Sequence, residues 1–507
     1  MSETLSLSSA SAALVLSAFV VPLSGACGGT KHALPPAVGV AAPPPDLGPR
    51  VAHKAPPDPR APAVAHPVAT IDRRSIGPFL ARSGELGMVA WITTPPRGTG
   101  EELDVVPLGP DCAPLAPPTV AAHMADGVTA LAVRRSGGRG VWLAAWTSIM
   151  DRGEALTVLP MDDHGVARGS PVEIVRTSDH LSWFDFVPTA RGAVCAWAEE
   201  TTAGVANLVA VTLDADGKPA GVPARVARGV ARWDLTGLTG PGSGIAAGLA
   251  LVDLPDPGRA DPGPGRLAWE LLDGDAKPRG PAVPVGSVPS VSSDVDVVPS
   301  AGGWLLGWTD KRVADPQVTL ARIDATGKVQ GPARPLESAG TSSLVGLVSG
   351  PAGAMLAWEP ARASAHPLRE LRVGVCPSGP RPQGGAGPCD GLDAVGPRSA
   401  VLEIDPRTAP ELAATDTGFA LLVTARACFA PSSAPDSRPP VTPCDGPVAP
   451  MLVRLASTST ALEAVQTEPV LLGTDLSPAP LAWGLRCSGD HCTALAADGK
   501  TPTTVYS

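Results

Sequence analysis

The sequence predicts an all-β fold built from a repeated unit of four short antiparallel strands, and three observations predict it. Gly and Pro, with 56 and 59 copies among 507 residues, break helices and favour short strands joined by turns. An apolar strand that ends in Trp recurs along the chain. An apolar run with an Asp/Gly turn follows that strand at a nearly constant distance. With 44% apolar and 17% charged residues, the chain has enough apolar surface to bury a core.

The Trp strand is found seven times, roughly every 50 to 65 residues. Typical copies are "GMVAWIT" from Gly87, "GAVCAWAEE" from Gly192 and "GAMLAWEP" from Gly353. The residue at the Trp position, which we call the anchor, is Trp91, Trp146, Trp197, Leu249, Trp308, Trp358 and Val423 in chain order.

Two further elements complete the unit. Strands such as "FDFVPTARG" and "VDVVPSAGG" precede the Trp strand, and hairpins such as "LVAVTLDADGKPAGVP" and "VTLARIDATGKVQGP" follow it. The unit therefore reads strand, turn, Trp strand, loop, strand, Asp/Gly turn, strand. Four antiparallel strands at this period are typical of a β-propeller blade of the WD40-like kind.

An eighth, altered copy lies at the carboxyl end. Its segments "APLAWGLRC", "CTALAADG" and "TPTTVYS" supply three strands, and "VATIDRR", Val68 to Arg74, would supply the fourth. We therefore predict one β-propeller domain over residues 68–507, with eight four-stranded blades and seven as the alternative.

The anchors are predicted to lie in the core between blades. In "GGWLLGWTD", Trp304, Leu306 and Trp308 share one face of the strand, while Leu305 and Gly307 share the other. Both faces are apolar, as expected for a strand covered on both sides. Stacking of Trp on sugar rings is the alternative interpretation, and the regular apolar repeat favours the core.

The amino-terminal residues 1–26 are predicted to be a signal peptide. The apolar run "ASAALVLSAFVVPL" is too short to span a bilayer but has the length of a signal-peptide core. The following "LSGAC" resembles the lipobox of bacterial lipoproteins, which implies lipidation of Cys27 and a lipid-anchored protein of the cell envelope. An ordinary secretory signal is the alternative, since Ser24 stands where the lipobox has Leu. The Pro-rich residues 27–67 are predicted to form an extended linker.

An exported chain favours disulfides over free thiols. Three pairs close in sequence are candidates: Cys376 with Cys389, Cys428 with Cys444, and Cys487 with Cys492. Cys195 lies in the apolar strand "AVCAW" and, like Cys112, is assigned a structural role.

The charge and the motifs of the chain exclude several functions. A net charge of −10 opposes binding to nucleic acid, and the catalytic motifs of hydrolases, zinc proteases and nucleotide-binding proteins are absent from the sequence. The turn "DADG", Asp214 to Gly217, resembles part of a calcium loop but lacks its other ligands, so hairpin turns are favoured. We predict neither metal nor cofactor.

Three acids form the candidate site. Glu199, Asp310 and Glu359 follow their anchors by one or two residues, where strands would open toward one rim. Because residues 68–507 resemble exported bacterial β-propeller proteins, we predict a monomeric, membrane-anchored scaffold that binds protein or polysaccharide without catalysis. The alternative is a hydrolase or lyase with acidic residues at a central channel. Such an enzyme would bring several His, Asp or Glu side chains from different blades to one point.

Overall fold

The structure is a computed structural model, and the residues that it describes begin at Ala65. They comprise residues 65–71, 75–95, 100–124, 127–137, 140–202, 205–237, 245–253, 265–288, 295–300, 302–310, 316–336, 342–350, 353–360, 369–377, 399–404, 409–416, 418–426, 448–457, 462–464, 470–471, 482–488, 491–497 and 503–506. Throughout these ranges the secondary structure consists of strands and turns, so the all-β prediction is confirmed. A helix of the length and apolarity needed to cross a membrane is not found in these ranges.

The strands pair antiparallel in consecutive order, as expected for units folded one after another along the chain. The first strand, β1 (Ala65–Ala69), stands apart from this order. The first sheet contains β2 (Ile76–Ser83), β3 (Leu86–Thr93), β4 (Glu101–Leu108) and β5 (Thr119–Met124). The second contains β6 (Val128–Arg135), β7 (Trp142–Met150), β8 (Gly153–Met161) and β9 (Val172–Thr177).

The third sheet has seven strands because one long strand serves two units. It contains β10 (His180–Thr189), β11 (Gly192–Thr202), β12 (Val205–Asp214), β13 (Ala224–Gly237), β14 (Ile245–Asp253), β15 (Gly265–Asp273) and β16 (Val283–Val288). The first part of β13 pairs with β12, and its second part, from Val230, pairs with β14. The strand β13 thus ends one repeat and begins the next.

The fourth sheet repeats the same order, whereas the fifth has nine strands and departs from it where its two repeats are linked. The fourth contains β17 (Val295–Ser300), β18 (Gly303–Asp310), β19 (Gln317–Asp324) and β20 (Val329–Pro335). The fifth contains β21 (Ser342–Gly350), β22 (Gly353–Pro360), β23 (Arg369–Pro377), β24 (Ser399–Ile404), β25 (Glu411–Ala414), β26 (Gly418–Arg426), β27 (Val448–Ser457), β28 (Leu462–Ala464) and β29 (Val470–Leu471). The last contains β30 (Ala482–Ser488), β31 (His491–Ala497), β32 (Thr503–Tyr506) and the first strand, β1.

The two ends of the chain meet in that last sheet. Strand β1 pairs antiparallel with β32, and His66 lies opposite Val505. The sequence placed this closing strand at Val68 to Arg74, whereas β1 begins at Ala65 and ends at Ala69. Residues 72–74 of that predicted segment lie outside the described residues.

The first strand of each repeat packs against the first strand of the next. We call these the leading strands: β2, β6, β10, β13, β17, β21, β25 and β30. Each contacts its neighbour in this order, and β30 packs in turn against β2. The leading strands therefore surround a common centre.

The anchors are buried, which confirms their prediction as core residues and makes the sugar-stacking interpretation wrong for them. Trp197, Trp308 and Trp358 are fully inaccessible to solvent, and Trp91 and Trp146 are nearly so. The small residue before an anchor makes room for a neighbouring side chain. A Cβ added to Gly248 would lie 2.3 Å from the ring of Trp269. Large and small residues thus interdigitate at the density of a protein core.

The Asp/Gly turns are hairpins that also contact the preceding repeat. In each, the Asp Oδ1 accepts the backbone N–H groups two and four residues later, as Asp214 does from Asp216 and Lys218. The same contacts are made by Asp162, Asp273 and Asp324. A Cβ on Gly165, whose φ is +77°, would lie 2.6 Å from Val105 of the preceding repeat. The turns therefore use their acids for backbone hydrogen bonds.

Candidate functional site

Six ionisable side chains, one from each of six leading strands, interact electrostatically at the common centre. We call them the central cluster: Arg134 of β6, Asp185 of β10, Asp234 of β13, Asp296 of β17, Glu411 of β25 and Arg486 of β30. Acids from different repeats thus converge, which is the arrangement that the sequence analysis expected of an enzyme with acidic residues at a central channel.

The register of the leading strands explains this convergence. Three of the acids lie directly opposite the residue that precedes an anchor. The pairs are Asp185 with Ala196, Asp296 with Gly307, and Glu411 with Leu422. Equivalent positions in successive repeats occupy equivalent places, so acids at this position meet in the centre. In β21 the position is held by Gly346, where an added Cβ would lie 3.7 Å from Asp296 Oδ2.

Arg134 and Asp185 form a buried ion pair. Arg134 Nη2 lies 3.4 Å from Asp185 Oδ1, and only 12% and 15% of the two side chains are exposed. Asp185 also accepts the Phe186 N–H at 2.8 Å. Burial raises the pKa of Asp185, while Arg134, the Phe186 N–H and Arg486 act to lower it.

Glu411 and Arg486 form the second pair, across β25 and β30. The Arg486 Nη1 to Glu411 Oε2 distance is 3.5 Å, and Arg486 also donates to the Leu485 carbonyl. Burial raises the pKa of Glu411 and lowers that of Arg486, and each group opposes the shift of the other. Arg486 is repelled by Arg134 and attracted by Asp185, which links the two pairs.

Asp234 and Asp296 form a pair of acids. Asp234 Oδ2 accepts the Val297 N–H at 2.8 Å, and Asp296 Oδ2 accepts the Leu347 N–H at 2.6 Å. Burial first, and then the charge of Asp296, raises the pKa of Asp234 well above its ordinary value.

The chemistry open to the central cluster is proton transfer and charge complementarity. Within the described residues, His, Cys, Asp and Glu do not gather in a group of three or more that could hold a metal ion. Much of the acceptor capacity of the acids is used by backbone N–H groups of the neighbouring leading strand.

The three acids that the sequence selected lie near the ends of their strands, outside the central cluster. Glu199 Oε1 accepts the Trp197 Nε1–H at 3.0 Å. Glu359 Oε2 lies 3.2 Å from Arg369 Nη1. Asp310 is buried at the end of β18, opposite Gln317. Each belongs to a different sheet or strand pair, and the described contacts do not join them into one site.

Further ionisable side chains lie at the same ends of the strands as these three acids. His180 Nδ1 lies 2.6 Å from Glu154 Oε1, and His180 Nε2 lies 4.0 Å from Glu200 Oε2. Glu154 also accepts the Leu181 N–H, just as Glu101 accepts the Val128 N–H. In each repeat, the first and third strands begin, and the second strand ends, on the same side of the sheet. These contacts lie on that side, which we call the rim.

The cysteines divide between bonded and buried free thiols. Cys487 and Cys492 form a disulfide across β30 and β31, with an S–S distance of 2.05 Å. Cys376 is disulfide-bonded, while its predicted partner, Cys389, lies outside the described residues, as do Cys27, Cys428 and Cys444. Cys195 is a buried free thiol whose pKa is raised by burial.

Cys112, also free and buried, belongs to a polar joint between the first and last sheets. Arg82 Nη1 donates to Cys112 Sγ at 2.6 Å and to Thr493 Oγ1, and Arg82 Nη2 donates to the Pro110 carbonyl at 3.0 Å. The joint lies where the last leading strand meets the first, so its role is structural.

The sequence contained a signal for the central cluster that strand periodicity alone did not reveal. Asp185 and Asp296 are the single acids in the apolar strands "FDFVP" and "VDVVP", and Asp234 has a similar place in "RWDLTG". An acid in a strand that is otherwise buried needs a partner. That rule identifies the acids, but it does not identify their partners, because these come from other repeats.

The chain has no match among protein-family models or curated proteins. It is similar to solved structures of prolyl oligopeptidase B from Galerina marginata (10% identity, TM-score 0.41, 86% of this chain and 54% of that one) and the β-propeller domain of the Trilobed protease from Pyrococcus furiosus (8%, 0.38, 86% and 94%). It is also similar to the WD40 domain of SCAP from fission yeast (11%, 0.37, 71% and 95%). The chain thus spans about half the length of the oligopeptidase. At these scores the likenesses carry no argument about its activity.

Proposed function

We propose that this chain is an exported lipoprotein whose eight-bladed β-propeller acts as a binding scaffold for protein or polysaccharide in the cell envelope. The observation that carries the proposal is the use of the central acids. Asp234 and Asp296 each hold a backbone N–H of the next leading strand. Charges engaged in this way stabilise the fold and are not free for a substrate. The rim is then the surface left for binding.

The eight-bladed architecture is supported by the order of contacts. The eight leading strands follow one another, and the last packs against the first. Strand β1 adds the fourth strand to β30, β31 and β32. In the proposed ring each leading strand lines the centre of one blade, and β13 serves two blades.

Deletion of residues 1–70 tests the closed ring. Removing β1 exposes the edge of β32 and takes away Val68 and Ala69, which pack against the core cluster that contains Leu495 and Val505. We expect a markedly lower melting temperature than that of a chain lacking only residues 1–60, which is the matched control. Equal melting temperatures of the two chains would contradict closure by β1.

Binding is tested with the full chain carrying Cys27→Ser, which removes the proposed anchor. Immobilised neutral and acidic polysaccharides, and extracted envelope proteins, serve as probes in surface plasmon resonance. We expect saturable binding to one class, weakened about tenfold or more by Glu199→Lys or Glu359→Lys in protein that remains folded. Absence of binding to every probe would count against the scaffold, as would binding that these rim variants leave unchanged.

Lipidation is tested separately in a bacterial host. We propose that Cys27 carries the lipid that holds the chain in the envelope, outer membrane or cell surface. A labelled fatty acid should be incorporated into the full chain and not into the Cys27→Ser variant. Equal labelling of both would contradict lipidation at Cys27.

A hydrolase or lyase is the second candidate, and the neighbouring acids Asp234 and Asp296, which hold the N–H groups of Val297 and Leu347, are the observation that favours it. Two carboxyl groups of different protonation state can serve as general acid and general base. Under this candidate the same polysaccharide and protein probes would be cleaved, and Asp234→Asn and Asp296→Asn would each abolish cleavage in a folded protein. Unchanged probes after prolonged incubation would exclude it.

A further inference from the structure

We propose that Arg82, Cys112 and Thr493 form a latch that holds the last sheet on the first. In this proposal the first repeat carries a cysteine, where the next four repeats carry glycine or alanine, because the thiol completes the latch. The latch concerns how the two ends of the chain are held together, so it goes beyond the proposed binding function. It acts beside the pairing of β1 with β32 and uses different residues.

Cys112 occupies the position that glycine holds in equivalent turns. The Cys112 N–H donates to the Gly109 carbonyl at 3.0 Å, as in the second repeat the Gly165 N–H donates to the Asp162 carbonyl at 3.0 Å. The φ of Cys112 is +63°, in the left-handed region that glycine adopts at little cost. The residues at this position in the following repeats are Gly165, Gly217, Ala276 and Gly327. A cysteine is strained here, and such strain persists only where surrounding contacts hold it.

The residue at this turn position lies against the preceding repeat. A Cβ on Gly165 would lie 2.6 Å from Val105 of the first repeat. Cys112 makes the corresponding contact with the last sheet, where its Sγ lies 2.6 Å from Thr493 Oγ1. Cys112 also belongs to the buried cluster that contains Leu495 of the same sheet. For the first repeat, the last sheet therefore takes the place of a preceding repeat.

Arg82 connects this turn to the last sheet through hydrogen bonds from a buried charge. Its Nη1 donates to Cys112 Sγ at 2.6 Å and to Thr493 Oγ1, which belongs to a side chain without solvent access. Its Nη2 donates to the Pro110 carbonyl at 3.0 Å. Hydrogen bonds from a charged donor are stronger than neutral ones, and a buried cation that loses an acceptor is destabilised. The three side chains therefore depend on one another.

The next joint around the molecule has the same design without the thiol. Arg135 holds the place in β6 that Arg82 holds in β2, since each lies opposite the residue four positions before its anchor. Arg135 Nη2 donates to Asp163 Oδ1 of its own turn at 3.1 Å, and Nη1 donates to the Ser83 carbonyl of the preceding leading strand at 3.3 Å. An arginine at this position thus connects its turn to the preceding repeat. In the latch, the thiol and the hydroxyl take the place of these acceptors.

Chemical denaturation of the full chain carrying Cys27→Ser compares Cys112→Gly with Ala276→Gly, its matched control. Both substitutions place glycine at a left-handed turn position and relieve strain. We expect Ala276→Gly to leave the unfolding constant unchanged or to lower it by up to about tenfold. Cys112→Gly should instead raise it about tenfold or more, because Arg82 loses an acceptor. Similar changes in the two variants would overturn the proposal.

Thiol labelling provides a readout that is local to the latch. Cys112 and Cys195 are both buried free thiols, and Cys195 lies in the third sheet. Thr493→Val keeps the shape of the side chain and removes the hydroxyl that accepts from Arg82. With a maleimide reagent and mass spectrometry of the labelled peptides, we expect this variant to raise the labelling rate of Cys112 about tenfold or more. The rate at Cys195 should change by less than about twofold, since only the joint opens.

Thr493→Ser, which keeps the hydroxyl, is the control and should label Cys112 at about the rate of the parent. Equal rises at Cys112 and Cys195 in Thr493→Val would show that the whole chain opens, and an unchanged rate at Cys112 would show that the hydroxyl holds nothing. Either result would overturn the proposal.

Discussion

Two ion pairs of this molecule have nearly the same length and very different surroundings. In the central cluster, Arg134 and Asp185 approach to 3.4 Å with 12% and 15% of their side chains exposed. At the rim, Arg369 and Glu359 approach to 3.2 Å with 60% and 22% exposed. The comparison shows that distance alone does not determine what a charge contributes. Burial determines whether losing a partner leaves a charge that water can solvate.

The difference is expected to be several kcal/mol. Removing one partner of a buried pair costs about 3 to 5 kcal/mol, because the remaining charge is left largely without solvent and without its nearest partner. An exposed pair contributes about 0.2 to 1 kcal/mol. The central charges are therefore expected to contribute more to the stability of the fold than an exposed ion pair at the rim.

Trp308→Ala is expected to have the largest effect, and it sharpens the comparison within one strand, since β18 carries both Trp308 and the rim acid Asp310. Trp308 is fully buried, and its removal leaves a cavity. We expect a loss of about 3 to 5 kcal/mol in the free energy of unfolding, measured by chemical denaturation. Trp308→Phe, the control, should lose less. A Trp308→Ala protein as stable as the parent would show that the anchor is not a core residue.

Glu154→Ala examines whether every rim acid is dispensable. Glu154 Oε2 accepts the Leu181 N–H at 2.9 Å, so this acid connects two repeats as Asp234 does. We expect a loss of about 1 to 3 kcal/mol because a partly buried donor is left unpaired. Glu154→Gln keeps the acceptor and should lose much less. Equal losses for the two variants would assign the effect to charge instead of the hydrogen bond.

Glu270→Gln tests the effect of burial on an acid whose pKa shift has burial as its cause. Burial raises the pKa of Glu270 to about 7. The native protein therefore holds a proton that the unfolded chain has released above about pH 4.5, and stability from this group is lost as the pH rises to about 7. We expect Glu270→Gln to flatten the stability profile in that window, by up to about tenfold in the unfolding constant per pH unit, as followed by denaturant titration. A profile that the substitution leaves unchanged would place Glu270 in contact with solvent.

Glu359→Gln should have the smallest effect on stability. Its partner, Arg369, is mostly exposed and remains solvated after the substitution. We expect a change within about 0.5 kcal/mol by thermal denaturation at moderate salt. A loss above about 2 kcal/mol would remove the distinction between rim and centre.

Much of the fold could be predicted from the sequence because the repeat is local. Trp91, Trp197 and Trp308 mark equivalent strands, and their alternation of large and small residues predicts burial between sheets. The bounds of β1 were harder to predict from the sequence. Its pairing with β32 depends on backbone hydrogen bonds between opposite ends of the chain, and the Pro67 that lies within it argues against a strand.

The central cluster could not be predicted from the sequence in the same way. Each acid is one residue in a strand of ordinary apolar pattern, and the hydrogen bond from the Val297 N–H to Asp234 depends on packing between repeats. Glu199, Asp310 and Glu359 were selected because they follow anchors that periodicity reveals. Periodicity predicts which face of a strand is buried, whereas electrostatic partners depend on how the sheets meet.

The most direct measurement of the contrast between centre and rim is a pair of double-mutant cycles. One cycle uses Arg134→Ala and Asp185→Ala, and the other uses Arg369→Ala and Glu359→Ala, with the free energy of unfolding as the readout. We predict a coupling energy of about 1.5 to 3 kcal/mol at the centre and at most about 0.5 kcal/mol at the rim. Equal coupling energies in the two cycles would contradict the account.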